Sequence, residues 1–212
     1  MDKKFAIFDM DGTLIDSMPY WRGLALEYLK ERGIEHVPPA IFAKIVPLTM
    51  KESAALFIRE FGIPGTPETV AAEMNAVMEG HYRGDIPLKP QAAEYLRRLQ
   101  RNGVRMCVAS ATAEPLVRIC LGRLGVLDCF DFILSCETVG AGKNRPDVYL
   151  QSAQRLGAAP DETAVYEDAI YAARTAKEAG FYVVGIYDES SRENWEQMTE
   201  IADETMREFI GF

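Results

Sequence analysis

The chain carries only two histidines, His36 and His81, and four cysteines, at positions 107, 120, 129 and 136. Two imidazoles and no Cys-x-x-Cys pair leave a zinc site without its ligand set. The same shortage argues against Ser-His-Asp hydrolysis, since there is no third imidazole and neither histidine falls in the expected core. Both read as solvated residues of a helical block. Cys107 and Cys120 fall in apolar segments and read as buried, reduced thiols, which suits a cytoplasmic protein. Positive charge is also short. Lys and Arg number 23 against 32 Asp and Glu, and the sequence pI is about 4.9. With its basic residues scattered, the chain has no stripe to displace counterions from a duplex, so no nucleic-acid partner is expected. No apolar run approaches the ~18 residues of a membrane span. The first apolar run is interrupted by Asp9 and is too short for a signal peptide, so no membrane partner is expected either. Repeats, low-complexity tracts and Ser/Gly linkers are lacking. What is present is an ordinary globular composition, 48% apolar and 26% charged over 212 residues. That is enough chain for a core and a small second unit without disulfide or metal staples.

Five short apolar runs read as buried strands: 5–8, 104–109, 131–134, 163–166 and 182–187. Helical patterns separate the later ones, at 91–101, 115–124, 146–156 and 169–179, the last followed by Gly180 as a stop. Strands alternating with helices predict an α/β fold, a Rossmann-like parallel sheet covered on both faces. Residues 17–85 break the alternation. They read as four helices, at about 19–32, 38–45, 51–61 and 67–82, with Thr66 as an N-cap before Pro67. The expected organisation is a discontinuous core, 1–16 and 86–212, interrupted by an all-helical cap domain, 17–85. The stretch from Ser191 to Phe209 reads as one surface helix with Trp195, Met198, Ile201 and Met206 near one face.

Open parallel sheets bind ligands just beyond the carboxyl ends of their strands. Those positions here hold Asp9-Met10-Asp11-Gly12-Thr13-Leu14, Ser110-Ala111-Thr112, a loop containing Gly142-Lys143-Asn144-Arg145-Pro146-Asp147, and Glu167-Asp168. This is a set for a hard cation and a dianion. Mg2+ takes a few carboxylates together with water and phosphate oxygens. Asp9, Glu167 and Asp168 would repel one another without a divalent ion between them. A lysine and a hydroxyl can hold the remaining phosphoryl oxygens. One aspartate can then attack phosphorus, and a carboxyl two residues on can serve the ester oxygen as general acid. Two lookalikes fail. Gly140-Ala141-Gly142-Lys143 has a misplaced glycine and no following Ser or Thr for a P-loop. Asp9-x-Asp11-Gly12 has its glycine too early for a calcium loop, with Tyr20 where that loop needs Glu.

With these four motifs in order, the sequence resembles the haloacid dehalogenase-like (HAD) hydrolase superfamily over essentially the whole chain. Within it the sequence resembles the beta-phosphoglucomutase-like branch, which has a helical cap between the first two motifs. The resemblance implies roles. Asp9 is the nucleophile and a Mg2+ ligand. Asp11 is the general acid/base, and its backbone carbonyl also binds the metal. Ser110 and Lys143 bind the transferring phosphoryl group. Asp168 completes the metal site, with Glu167 contributing directly or through water. Backbone N–H groups around Met10, Asp11 and Ala111 touch phosphate. The second carboxylate, Asp11, separates phosphate-ester chemistry from dehalogenation, whose halide leaving group needs no proton. The implied function is Mg2+-dependent hydrolysis of a small phosphate monoester, sugar phosphates included, through an aspartyl phosphate. The partner is a small-molecule phosphate ester, and the chain is expected to be a monomer or weak dimer.

Two departures from the resembled pattern bear on this. The fourth motif reads Glu167-Asp168-Ala169 where Glu-Asp-Ser is usual, and Asn144 replaces a proline after the lysine. Mutases of the branch carry a histidine shortly after the first motif and cap cations that grip a second phosphate. Here Tyr20-Trp21, Met50 and Met74 occupy the corresponding places, which favours a hydrolase over a phosphomutase. Lys51 or Arg22 would have to substitute in a mutase. A non-catalytic phosphate-binding protein is the third reading, disfavoured because Asp9, Asp11, Ser110, Lys143 and Asp168 are all intact.

Overall fold

The structure, a computed structural model, describes residues 3–45 and 48–209. The first two and last three residues of the expected core, and residues 46–47 of the expected cap, lie outside that range. Six strands form one sheet: β1 (Phe5–Phe8), β2 (Arg105–Ser110), β3 (Phe132–Ser135), β4 (Thr163–Glu167), β5 (Tyr182–Ile186) and β6 (Glu204–Met206), in the order β3-β2-β1-β4-β5-β6. Every neighbouring pair is parallel. The strands are continuous apolar runs because helices cover both faces, and β4 is buried at all five positions. The chain divides into two compact units, residues 1–18 with 85–212 and residues 19–84.

The second unit is helical: α1 (Met18–Glu31), α2 (Pro39–Ile45), α3 (Met50–Phe61) and α4 (Pro67–Gly84). Thr49 opens α3 with a capping box, its Oγ1 accepting the Glu52 N–H while the Glu52 side chain accepts the Thr49 N–H at 2.8 Å. Thr66 caps α4 through the Thr69 N–H. The apolar faces meet over Leu24, Tyr28, Phe57, Val70, Met74 and Met78, all buried. His81 differs from expectation. It is largely buried, with Nε2 2.9 Å from Glu27 Oε2 and its ring 4.7 Å from that of Tyr20. His36 is exposed.

In the sheet unit follow α5 (Ala92–Arg101), α6 (Glu114–Arg123), α7 (Cys136–Val139), α8 (Asp147–Leu156), α9 (Ile170–Glu178) and α10 (Trp195–Ile201). One face of the sheet, carrying Ile7, Cys107, Val165 and Val183, packs against Val148, Tyr149 and Leu156 of α8 and Ala173 and Ala176 of α9. On the other, Phe8 stacks on Tyr166 with ring centroids 4.0 Å apart.

The surface helix expected over 191–209 is corrected. A 3-10 turn covers Glu189–Asn194, α10 ends at Ile201, and residues 204–206 form β6 at the sheet edge. Asp203 stops the helix. Its backbone N–H bonds the Val183 carbonyl at 2.9 Å, and its carboxylate accepts the Val183 N–H at 2.8 Å. The apolar spacing already breaks there, since Ile201 and Met206 lie five residues apart and a helix face repeats at three or four. Gly185 lets α10 approach, because a Cβ there would lie 2.8 Å from Met198 Sδ. Among the described residues, no helix is long and apolar enough to cross a membrane.

Candidate active site

The sheet register builds the site. Ile7 pairs with Val165 and Phe8 with Tyr166, so the next residues, Asp9 and Glu167, emerge side by side on the Ile7 face. The Asp9 N–H still bonds the Tyr166 carbonyl at 3.0 Å, which holds the nucleophile candidate in line with β1. The backbone then turns. The Met10 carbonyl accepts the N–H groups of Leu14 at 2.9 Å and Ile15 at 3.1 Å, and Met10 itself is buried. The turn needs Gly12, which has φ +79° and sits so close to Asp168 that a Cβ would lie 2.8 Å from its carboxyl carbon.

Lys143 reaches into this corner from the loop between α7 and α8. Its ammonium is ion-paired with Asp9 and lies 2.5 Å from Glu167 Oε1. Tyr149 O–H donates to the same Glu167 oxygen at 2.6 Å, and Thr13 Oγ1 donates to Asp168 Oδ1 at 3.1 Å. Ligand oxygens of Asp9, Glu167 and Asp168 all lie within 4.8 Å of one another, and all three residues are buried. Asp188, two residues beyond β5, lies near Asp168 and is paired with Lys89 at 2.9 Å.

The electrostatics follow from burial. Three carboxylates face one ammonium, so two negative charges are left uncompensated when all are ionised. Burial first, then the charge of Asp9, pushes the Glu167 carboxyl up to about 7 against the pull of Lys143. Burial and the charges of Asp9, Glu167 and Asp188 hold Asp168 well above its ordinary value. Burial alone would lower the Lys143 pKa, but the Asp9 and Glu167 carboxylates outweigh it and keep the ammonium charged. A hard divalent cation fits this oxygen-only, over-negative donor set, and a soft or anionic group does not.

A pH effect follows. An acid whose pKa is higher in the folded than in the unfolded chain stabilises the fold at low pH and ceases to do so as pH rises through the folded value. With metal chelated, the protein should therefore lose melting temperature between pH 5.5 and pH 8, as Glu167 is forced to ionise. Glu167→Gln should flatten that slope. A wild-type melt that rises over this interval in the chelated protein would contradict the electrostatics.

Asp9, Lys143, Glu167 and Asp168 are thus brought together. Ser110 ends β2, fully buried, and does not cap α6, whose N-cap is Ala113. Its Oγ accepts the Thr112 N–H at 3.0 Å instead. Thr112 Oγ1 in turn donates to Asp11 Oδ2 at 2.7 Å. Ala111 is exposed in the same bend. Ala169, where a serine is usual, is the N-cap of α9 and offers no side-chain hydrogen bond. Sequence reasoning gave no role to Thr13, Thr112, Tyr149 or Asp188. Thr13 and Thr112 lay within the quoted motifs, and Asp188 had a readable signal of its own, its place just after a predicted strand.

The fold is that of an α/β protein with buried carboxylates gathered at the ends of its central strands. The chain belongs to the haloacid dehalogenase-like hydrolases, whose family model matches residues 3–180. It is 28% identical over 182 residues to hexitol phosphatase A of Escherichia coli strain K12, covering 85% of this chain and 81% of that protein. It is 25% identical over 181 residues to the fructose-1-phosphate phosphatase YqaB of the same strain, covering 85% and 94%. A Thermotoga maritima protein provisionally assigned as a beta-phosphoglucomutase has the same fold, with a TM-score of 0.83 at 20% identity over 96% of this chain and 94% of that one.

Proposed function

We propose that the protein is a Mg2+-dependent phosphatase that hydrolyses a small phosphate monoester of the sugar-phosphate class through an aspartyl phosphate. The observation that carries this reading is the buried Asp9–Lys143–Glu167–Asp168 cluster with a second carboxylate, Asp11, two residues after the first. The similarity to two sugar- or hexitol-phosphate phosphatases supports the substrate class. In this reading residues 1–16 and 86–212 are the catalytic core and residues 17–85 the cap.

Asp9, Asp168 and Glu167, with the Asp11 backbone carbonyl, would hold Mg2+, which when bound supplies positive charge to the phosphoryl oxygens. An Asp9 oxygen attacks phosphorus and the bond to the ester oxygen breaks, while Asp11 gives its proton to that leaving oxygen. Lys143 and Ser110 hold the phosphoryl oxygens, aided by N–H groups near Met10, Asp11 and Ala111. Asp11, now a carboxylate, takes a proton from water as the water oxygen attacks phosphorus and the Asp9–phosphorus bond breaks. Phosphate and the starting enzyme result.

The competing mutase reading needs cations to grip a second phosphate. Met74 is buried in the core of the helical unit, and Lys51 is paired with Glu68 at 2.5 Å. Incubation with a hexose 1-phosphate separates the two: inorganic phosphate supports the hydrolase, and a 6-phosphate without net release overturns it. With an aryl phosphate, turnover should require Mg2+ and stop on chelation. Turnover unaffected by chelation, or none in either state, counts against the proposal. Asp11→Asn should slow poor leaving groups at least ~10-fold more than good ones, since only poor ones need the proton. Equal losses on both would refute the proton-donor role.

A further inference from the structure

We infer that Thr112 is a positioning residue for the proton donor Asp11, a role that rests on the phosphoryl-transfer reading above. Thr112 sits two residues past the end of the buried strand β2. Its N–H is anchored on Ser110 Oγ at 3.0 Å, and its hydroxyl donates to Asp11 Oδ2 at 2.7 Å. The link joins residues 101 apart in sequence. It crosses between the ends of β1 and β2, whose register is fixed by the Phe8–Val108 pair. The phosphate-binding hydroxyl of Ser110 and the acid of Asp11 are thereby tied into one frame.

The reason such a tie matters is torsional. The terminal torsion of an aspartate is broad and two-fold, so a hydrogen bond fixed on one oxygen selects which oxygen faces which way. A hydroxyl has one proton to donate. Given to Oδ2, it assigns Oδ1 the part of carrying the proton to the leaving group and later taking one from water. The tether survives both states, because Oδ2 accepts whether Asp11 is ionised or protonated on Oδ1. Threonine suits the task better than serine, since its branched Cβ limits χ1 and keeps the hydroxyl aimed. Proton transfer in the transition state depends on alignment, so loss of the tether should be felt only where the proton is needed.

The test compares kcat/KM, which reports formation of the aspartyl phosphate, for alkyl phosphates and for aryl phosphates with good leaving groups. Thr112→Val keeps the shape and the backbone bond to Ser110 but removes the donor. It should lose about 10-fold on alkyl phosphates and about 2-fold or less on activated aryl phosphates, the span expected for one hydrogen bond to a charged group. Thr112→Ser should restore most of the alkyl activity. In an Asp11→Asn background, Thr112→Val should cost nothing further, because the proton it positions is gone. If Thr112→Val melts early, Thr112→Ala replaces it with the same expected pattern. Equal losses on both substrate classes, no loss at all, or no rescue by serine would overturn the role. Should Asp11→Asn itself show no dependence on leaving group, the proton-donor reading fails, and this one with it. Should Asp11→Asn show that dependence and Thr112→Val not, only the role of Thr112 fails.

Discussion

Asp9→Asn should abolish turnover and leave the fold intact. The substitution keeps the shape of the side chain but replaces the attacking oxygen with an amide of negligible nucleophilicity, so the loss should be at least ~10^3-fold in kcat. The fold should tolerate it for an electrostatic reason. Asp9 is one of three buried carboxylates gathered here and shares the Lys143 ammonium with Glu167, which remains the lysine's partner at 2.5 Å once Asp9 is neutral. The Asp9 N–H bond to Tyr166, which sets the strand end, belongs to the backbone and survives. Phosphate release from an aryl phosphate, read beside a thermal melt in the absence of metal, makes the check. Acid-quenched wild-type protein should carry alkali-labile phosphate after brief exposure to substrate, and the variant none. Near-normal turnover in the variant, or wild-type protein that never becomes labelled, would end the covalent mechanism.

The residues such an experiment touches were legible in the sequence for a specific physical reason. A parallel strand is buried on both faces and so is a continuous apolar run, and chemistry has to begin where the run ends. Asp9, Ser110 and Glu167 are found that way, and the same rule extended to the fifth run would have pointed to Asp188. Tyr149 was not legible. It lies on the buried face of α8 and meets Glu167 only through tertiary packing, and in the sequence it is one more aromatic at helical spacing. Thr13 and Thr112 were in view as members of their motifs, but the carboxylates they bond are set by backbone turns that no periodicity encodes. The C-terminal segment failed differently. Trp195, Met198 and Ile201 keep a helical period, and extending it to Met206 hid β6, a three-residue strand too short to display alternation. There Asp203 decided the outcome by offering its side chain to the backbone of β5.

Lys143→Met should strongly destabilise the metal-free protein, and under the proposed mechanism it should also reduce turnover by at least ~10^2-fold through loss of a phosphoryl ligand. Lys143 is almost fully buried, and its ammonium is the cation shared by Asp9 and Glu167. Methionine fills nearly the same volume, so packing is conserved and the charge alone is removed. Removing one partner of a buried ion pair costs about 3–5 kcal/mol, because the remaining charge is left in a poor solvent. For a chain of this length that corresponds to roughly 10 °C in melting temperature. The sign of its pH dependence is fixed. Without the ammonium Glu167 gains a proton more readily still, so at pH 5.5 it escapes by neutralising and the deficit shrinks, while at pH 8 the deficit is larger. Added Mg2+ should raise the melting temperature of the variant by more than that of the wild type, since the ion then supplies the only positive charge among the three carboxylates. Melts of both proteins at the two pH values, with chelator and with Mg2+, decide the matter. A variant as stable as the wild type at pH 8 under chelation would mean that the buried ammonium is not needed to offset the charge of this cluster, and the case for a divalent cation there would lose its physical basis.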